Sequence, residues 1–398
     1  MTTEAPVILR RDGVTLVVYA VLATWGWFLY GFGPMLPLLR DEQGTSRTQI
    51  SLHSVALALG AVVAGSLAVP LARAIRRRGA AVLGAALVAG GVSLLLAGRT
   101  SALTLPAALV IGIGGSTMVN TTAPVVTEHH GLAGAAALSE GNALAAATGL
   151  LAPAAIGAGV AAGLTWRPGI GVTILLAGLI MIAARHAPRD TPALDDAPPP
   201  RPRGAGGRVP PAVWPPLLML VACVGVEFCV VAWAADLLRQ QVGLDAGPAS
   251  AAVSLVVAGM AIGRLALGRL ALRRPPRPLL AAALATAAAG WAITWWSGAV
   301  VPALIGLAVL GLGIAGHYPM GTTILLESAD GQRDRVIGML SLGIGAASGG
   351  GPFALGALAD AHGPHTAFLV VPALLAVAAL LLAAAVRRPT RAIDAAAA

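Results

Sequence analysis

The chain predicts an all-α integral membrane fold, with twelve transmembrane helices in two six-helix bundles, the second a parallel repeat of the first. Three observations carry this. Of 398 residues, 57% are hydrophobic and only 11% charged, against about 25% charged in an ordinary soluble domain. The apolar residues fall into twelve runs, each close to the roughly 20 residues a helix needs to cross a bilayer. The two halves also match one another at a constant offset of 199 residues.

The runs lie at about 14–38, 49–71, 80–98, 103–125, 135–160 and 168–184, then at about 214–238, 249–271, 278–297, 300–325, 336–359 and 365–386. They are helices, because an open sheet leaves backbone groups unpaired in lipid and the runs lack the alternation of barrel strands. Fifty glycines suit close helix packing in lipid. They also suit a GC-rich genome, as does the use of Arg without any Lys. Between the sixth and seventh runs lies the one long polar stretch, Arg185 to Val213, rich in Arg and Pro. Proline removes a backbone donor and charges bury nothing apolar, so this is a tether. The expected organisation is a bundle over 1–184, a linker over 185–213 and a second bundle over 214–398.

Arginine counting orients the spans. With the N-terminus inside, twenty arginines fall on the cytoplasmic side. Five fall outside: Arg40, Arg47, Arg99, Arg167 and Arg239. Both termini and the linker are therefore expected in the cytoplasm, and the protein in a bacterial inner membrane. Arg10-Arg11 lacks the rest of a twin-arginine signal, so the first run reads as a retained helix. The net charge of +9 sits in short loops between spans, which excludes a nucleic-acid partner. Cys223 and Cys229 lie about 600° apart around one helix and cannot pair with each other. No cofactor and no metal site is expected. Glu128-His129-His130 is not a recognisable metal motif, and HExxH does not occur.

At the 199-residue offset Gly26 falls on Gly225, Arg40 on Arg239, Arg78 on Arg277, Glu128 on Glu327, Pro153 on Pro352 and Gly157 on Gly356. Glycine matches come cheaply in this chain; the Arg, Glu and Pro matches fall at equivalent places in the two halves. Six helices, a linker and six more in the same orientation make a parallel repeat about an axis along the membrane normal.

This layout resembles the major facilitator superfamily of secondary transporters, over nearly the whole chain. The family's basic loop after the second span is matched by Gly65 to Gly79, with Arg73, Arg76, Arg77 and Arg78 but without the expected aspartate. The counterpart in the second half runs from Gly259 through Gly263, Arg264, Gly268 and Arg269. The resemblance implies a cytoplasmic gate of Arg73, Arg76, Arg77, Arg78, Arg269 and Arg277 with the acids Glu128 and Glu327. Positive-inside topology and solvated carboxylates explain the same residues without a gate. Gly149, Pro153 and Gly157 look like a partial copy of the family's antiporter signature on the fifth span. Pro352 and Gly356 repeat it on the eleventh, and such residues bend helices. The family's cavity-lining spans nominate Trp25, Trp27 and Tyr30, Asn120 and Thr121, Glu227, and His317 and Tyr318.

Ionisable groups inside membrane spans are costly and mark function by default. Glu227 lies about 20 Å into the seventh span, where a carboxyl carries its charge at a cost, as a proton carrier requires. Arg264 is its partner by type, but the two helix positions differ by about 10 Å in depth. Arg264 would also serve by snorkelling inward or by capping carbonyls. Asp236 is a candidate for an outer gate with Arg40 or Arg239, Glu140 for a solvated interfacial acid, and Asp360 for the outer surface.

The resulting expectation is a proton-coupled secondary transporter, monomeric, working by alternating access on a small-molecule substrate. The sparse polarity of its core suits an amphipathic organic solute, and the fifth-span signature suits export. Uptake of a small metabolite and a non-transporting sensor are the alternatives. No catalytic cluster suggests an enzyme.

Overall fold

The computed structural model describes residues 11–186, 194, 209–330 and 332–386. Most of the expected linker, residues 187–193 and 195–208, lies outside the described residues. The helices are α1 (Gly13–Gln43), α2 (Arg47–Ala97), α3 (Ser101–His130), α4 (Gly134–Ala161) and α5 (Arg167–His186), followed by α6 (Trp214–Gln241), α7 (Ala246–Leu270) and α8 (Pro276–Trp296). Then come α9 (Val300–Ile314), α10 (His317–Glu327), α11 (Arg333–His362), α12 (Pro364–Ala367) and α13 (Val370–Val386). Among the described residues there is no strand.

Among the described residues, eleven helical segments are long and apolar enough to cross a membrane. One of them, α2, has 51 residues, about 77 Å at 1.5 Å per residue. That is more than twice a hydrocarbon core of about 30 Å, so α2 is two spans end to end and the spans number twelve. The join is Arg76, at φ 62° and ψ 164°. The expected loop over 72–79 is thus a one-residue break between two helices. The left-handed φ of Arg76 is disfavoured for a residue with a Cβ, and it reverses the chain direction within one residue. The tenth expected span is also broken: Ala315 and Gly316 separate α9 from α10.

Most helices run a few residues beyond their apolar runs, because polar caps and interfacial side chains extend them. Asp12 caps α1 by accepting from the Thr15 backbone N–H at 3.0 Å. Partial burial favours the neutral Asp12 carboxyl, but bonds from His129 and Thr15 outweigh it and hold its pKa down at about 2. Ser46 and Gln49 form a capping box at the start of α2.

The halves meet along three seams: α1 on α6, α2 on α11, and α4 on α7. The seams are tight at the end of the molecule where α1 finishes, called here the far end. The other, where α1 begins, is the near end. In the α1–α6 seam a Cβ on Gly33 would run into the Val231 carbonyl. Only a glycine permits that approach. Gly157 meets Gly247 in the α4–α7 seam, and Gly356 meets Ser51 and Arg47 in the α2–α11 seam. Pro153 and Pro352 lie inside the unbroken helices α4 and α11. The Pro352 carbonyl accepts from Trp233 Nε1 at 3.0 Å and from Ser51 Oγ at 3.2 Å. The glycines expected to bend helices therefore sit where helices touch.

Candidate functional site

A cavity runs from the middle of the protein toward the near end. Its inner part, about 190 Å³, is lined by Trp25, Leu29, Phe32 and Phe228, with Ser54, Ser116 and Ser348. Its outer part, about 840 Å³, lies between α2, α3 and α11 and shares Ser116 and Ser348. Asn120, Thr121, Ser341 and Arg77 line it toward the mouth. Aromatic walls with a few hydroxyls and one amide suit a solute that is mostly apolar with a polar end.

On another side of α1 the structure joins three of the expected residues. The Tyr30 hydroxyl donates to Glu227 Oε1 at 3.1 Å, from the first half to the second. Arg264 on α7 completes the group. Its guanidinium is close enough to interact electrostatically with both Tyr30 and Glu227. Tyr30 spans the depth difference between Glu227 and Arg264, and Arg264 itself stays exposed on α7. Gly149 makes room for this arrangement, because a Cβ there would run into the Tyr30 ring.

The remaining nominated residues fall in several places. Trp25 lines the inner cavity, and Asn120 and Thr121 the outer one. Trp27 does not face the cavity: it is buried and its Nε1 donates to the Gly169 carbonyl at 2.9 Å, packing α1 on α5. His317 is likewise only 2% exposed, beside the Cys223 backbone of α6 at the break before α10. The sequence put both on cavity-lining spans, but which face of a span points inward depends on packing. Tyr318 is exposed.

The near-end charges pair within each half. Arg77 donates to both oxygens of Glu128, with Nη2 to Oε1 at 2.9 Å. Arg277 and Glu327 make the corresponding pair in the second half, at 4.0 Å. Arg78 Nη1 donates to the Ala184 carbonyl at 2.7 Å. Arg73, Arg76 and Arg269 are exposed. A latch across the halves built from Arg77–Glu128 and Arg277–Glu327 is not what this conformation contains. Each pair instead staples two helices of its own bundle.

The cross-half ion pairs gather at the far end. Asp236 on α6 is 1% exposed. It accepts from Arg40 Nη1 at 2.8 Å and from Arg47 Nε at 2.7 Å. Arg239 donates to Asp41 at 2.6 Å. Asp360 on α11 accepts from the backbone N–H groups of Arg47 and Thr48 at 3.0 and 2.8 Å, capping α2. Asp236 with Arg40 was legible from their places at span ends. Arg47 and Asp360 were placed only on the outer side by sequence and Asp41 not at all, and only the packing of α1, α2, α6 and α11 brings them together.

Paired helical bundles that meet tightly at one end and hold a cavity toward the other define a membrane transporter. The chain belongs to the Major Facilitator Superfamily, whose family model matches residues 16–307 and 217–397. Solved structures share the fold. The inward-open xylose transporter XylE from E. coli is 12% identical, with a TM-score of 0.76, covering 95% of this chain and 97% of its own. A bacterial homolog of the human lysosomal transporter Spinster is 15% identical with a TM-score of 0.70, covering 94% and 96%. The fucose:proton symporter FucP of E. coli is 18% identical with a TM-score of 0.61, covering 93% and 98%. No curated protein matches.

Proposed function

We propose that this transporter is proton-coupled and exports a small amphipathic organic molecule by alternating access, with Glu227 as the proton carrier. The observation that carries the proposal is the Tyr30–Glu227 hydrogen bond across the halves, with Arg264 beside it. A carboxyl shared between two moving bodies changes partners when they move. Its affinity for a proton then differs between the two conformations, which is what coupling requires. The symporter FucP, by its name, also moves a proton with its solute.

In this reading the bundles over 1–184 and 214–398 rock about the cavity, tethered by 185–213. The near end faces the cytoplasm, as the arginine bias implies, and the far-end ion pairs close the outward side. The protein works as a monomer in a bacterial inner membrane. The aromatic cavity favours an amphipathic solute, and the Gly149–Pro153–Gly157 stretch favours export.

Counter-flow in proteoliposomes tests this. Glu227→Gln is expected to abolish proton-driven accumulation and to keep solute exchange. Unchanged proton coupling in that variant would remove Glu227 from the mechanism, and accumulation on the acidic side's trans face would assign uptake instead.

A further inference from the structure

The near end carries a second convergence of side chains that transport does not use. Asp12 caps α1, while His129 and His130 end α3. His129 Nε2 lies 2.6 Å from Asp12 Oδ2. His130 Nε2 lies 2.7 Å from Thr15 Oγ1, and that hydroxyl donates to Asp12 Oδ1 at 2.9 Å. The three ligand-type atoms of Asp12, His129 and His130 all lie within 4.8 Å of one another.

We propose that Asp12, His129 and His130 form a binding site for a divalent transition-metal ion, of the Zn²⁺ class, that fastens the start of α1 to the end of α3. Two imidazoles and one carboxylate are a donor set that Zn²⁺, Co²⁺, Ni²⁺ and Cu²⁺ accept and that Ca²⁺ and Mg²⁺ do not favour. Ligand atoms around a tetrahedral Zn²⁺ with bonds of about 2.0–2.2 Å stand roughly 3.3–3.5 Å apart. The present spacing brackets that value, so rotations about the side-chain torsions suffice to close the site. The metal takes the place of the hydrogen bond between His129 and Asp12, and water fills the fourth position.

The neighbouring arginines are engaged elsewhere: Arg11 bonds Glu140 at 2.8 Å, and Arg77 bonds Glu128. Asp12 is the carboxylate that faces the two imidazoles. The adjacency of His129 and His130 is not itself informative, since neighbours on a helix point about 100° apart. Both reach Asp12 because the end of α3 lies beside the start of α1: His129 bonds Asp12 directly and His130 connects to it through Thr15. The ligands belong to α1 and α3, both in the first half, so the ion staples one bundle and leaves the halves free to rock.

The test uses full-length protein in detergent, purified without a histidine tag and stripped with chelator. Titration with Zn²⁺ against a chromophoric chelator is expected to show one ion per chain, in competition with Co²⁺ and not with Mg²⁺. Co²⁺ is expected to give visible d–d bands of a four- or five-coordinate site. Asp12→Asn keeps the helix cap and is expected to weaken binding at least about tenfold, as are His129→Ala and His130→Ala. His365→Ala, at the far end of the second half beside the Trp295 carbonyl, is expected to bind as the parent does. Absence of stoichiometric uptake, or equal uptake by all three site variants, overturns the proposal. Thermal unfolding without metal shows whether each variant is folded, and a variant that unfolds early is replaced by His130→Gln.

Discussion

The Tyr30 hydroxyl donates to Glu227 at 3.1 Å across the boundary between the two halves of the protein. One partner sits on α1 and the other on α6, so a rocking motion that separates these helices must break the bond. Arg264 on α7 shares the same neighbourhood. A phenol between a carboxyl and a guanidinium can release one partner while keeping the other.

Tyr30→Phe removes this link without altering the ring. Hydrogen bonds to charged groups contribute about 1.5–3 kcal/mol. The variant is expected to slow proton-driven accumulation by about tenfold or more, at about 1.4 kcal/mol per factor of ten, while solute exchange persists. Rate against pH in proteoliposomes is the measurement: the profile should move in Tyr30→Phe and flatten in Glu227→Gln. An unmoved profile in both would detach this group from coupling.

Asp236→Asn addresses the far end. Asp236 is buried and meets Arg40 and Arg47 from the other half. Removing one partner of a buried pair costs about 3–5 kcal/mol. Here the cost falls on the conformation with the far end closed, so the population is expected to shift toward far-end opening. Distances between spin labels in the 44–46 and 242–245 connections would lengthen. A distribution identical to that of the parent would show that the network does not hold the gate.

Gly149→Val places branched carbons where the Tyr30 ring now lies. Packed cores resist added volume at a cost of about 1–3 kcal/mol. The ring must move, and Glu227 loses its partner. The expected result is a folded protein, monodisperse by size-exclusion chromatography, with proton-driven transport reduced as in Tyr30→Phe. Wild-type transport would mean the phenol position is not used.

Glu128→Gln tests the near-end staple. Arg77 is buried while Glu128 is half exposed, so the substitution removes the carboxylate that both guanidinium bonds of Arg77 reach. A lower Tm is expected, with partial recovery in Arg77→Met/Glu128→Gln, where the buried charge is gone as well. Equal Tm values in all three proteins would make the pair a surface contact of little weight.

The fold was legible because lipid leaves few choices. A run of about 20 apolar residues must be a helix, and the boundaries fell within a few residues. The exceptions were local. Arg76 sits at a break too short to read as a loop, and Ala315–Gly316 interrupts a span without any change in hydropathy. Among the site residues, Glu227 announced itself as a charge in an apolar helix. Its relation to Tyr30 and Arg264 did not, because depth along separate helices says little about where long side chains end.

The sequence alone determined the membrane class, the twelve spans, the repeat and the family likeness, since each follows from local composition and spacing. Tertiary structure decided which faces meet. It turned Trp27 and His317 into the packing, kept Glu128 and Glu327 with arginines of their own halves, and gathered Arg40, Arg47 and Asp236 into one far-end network. The physical reason is that a helix's hydropathy fixes that it crosses the bilayer, whereas its rotation and partners depend on glycine-to-backbone contacts made by other helices. Those contacts are spread over residues hundreds of positions apart, and no local pattern records them.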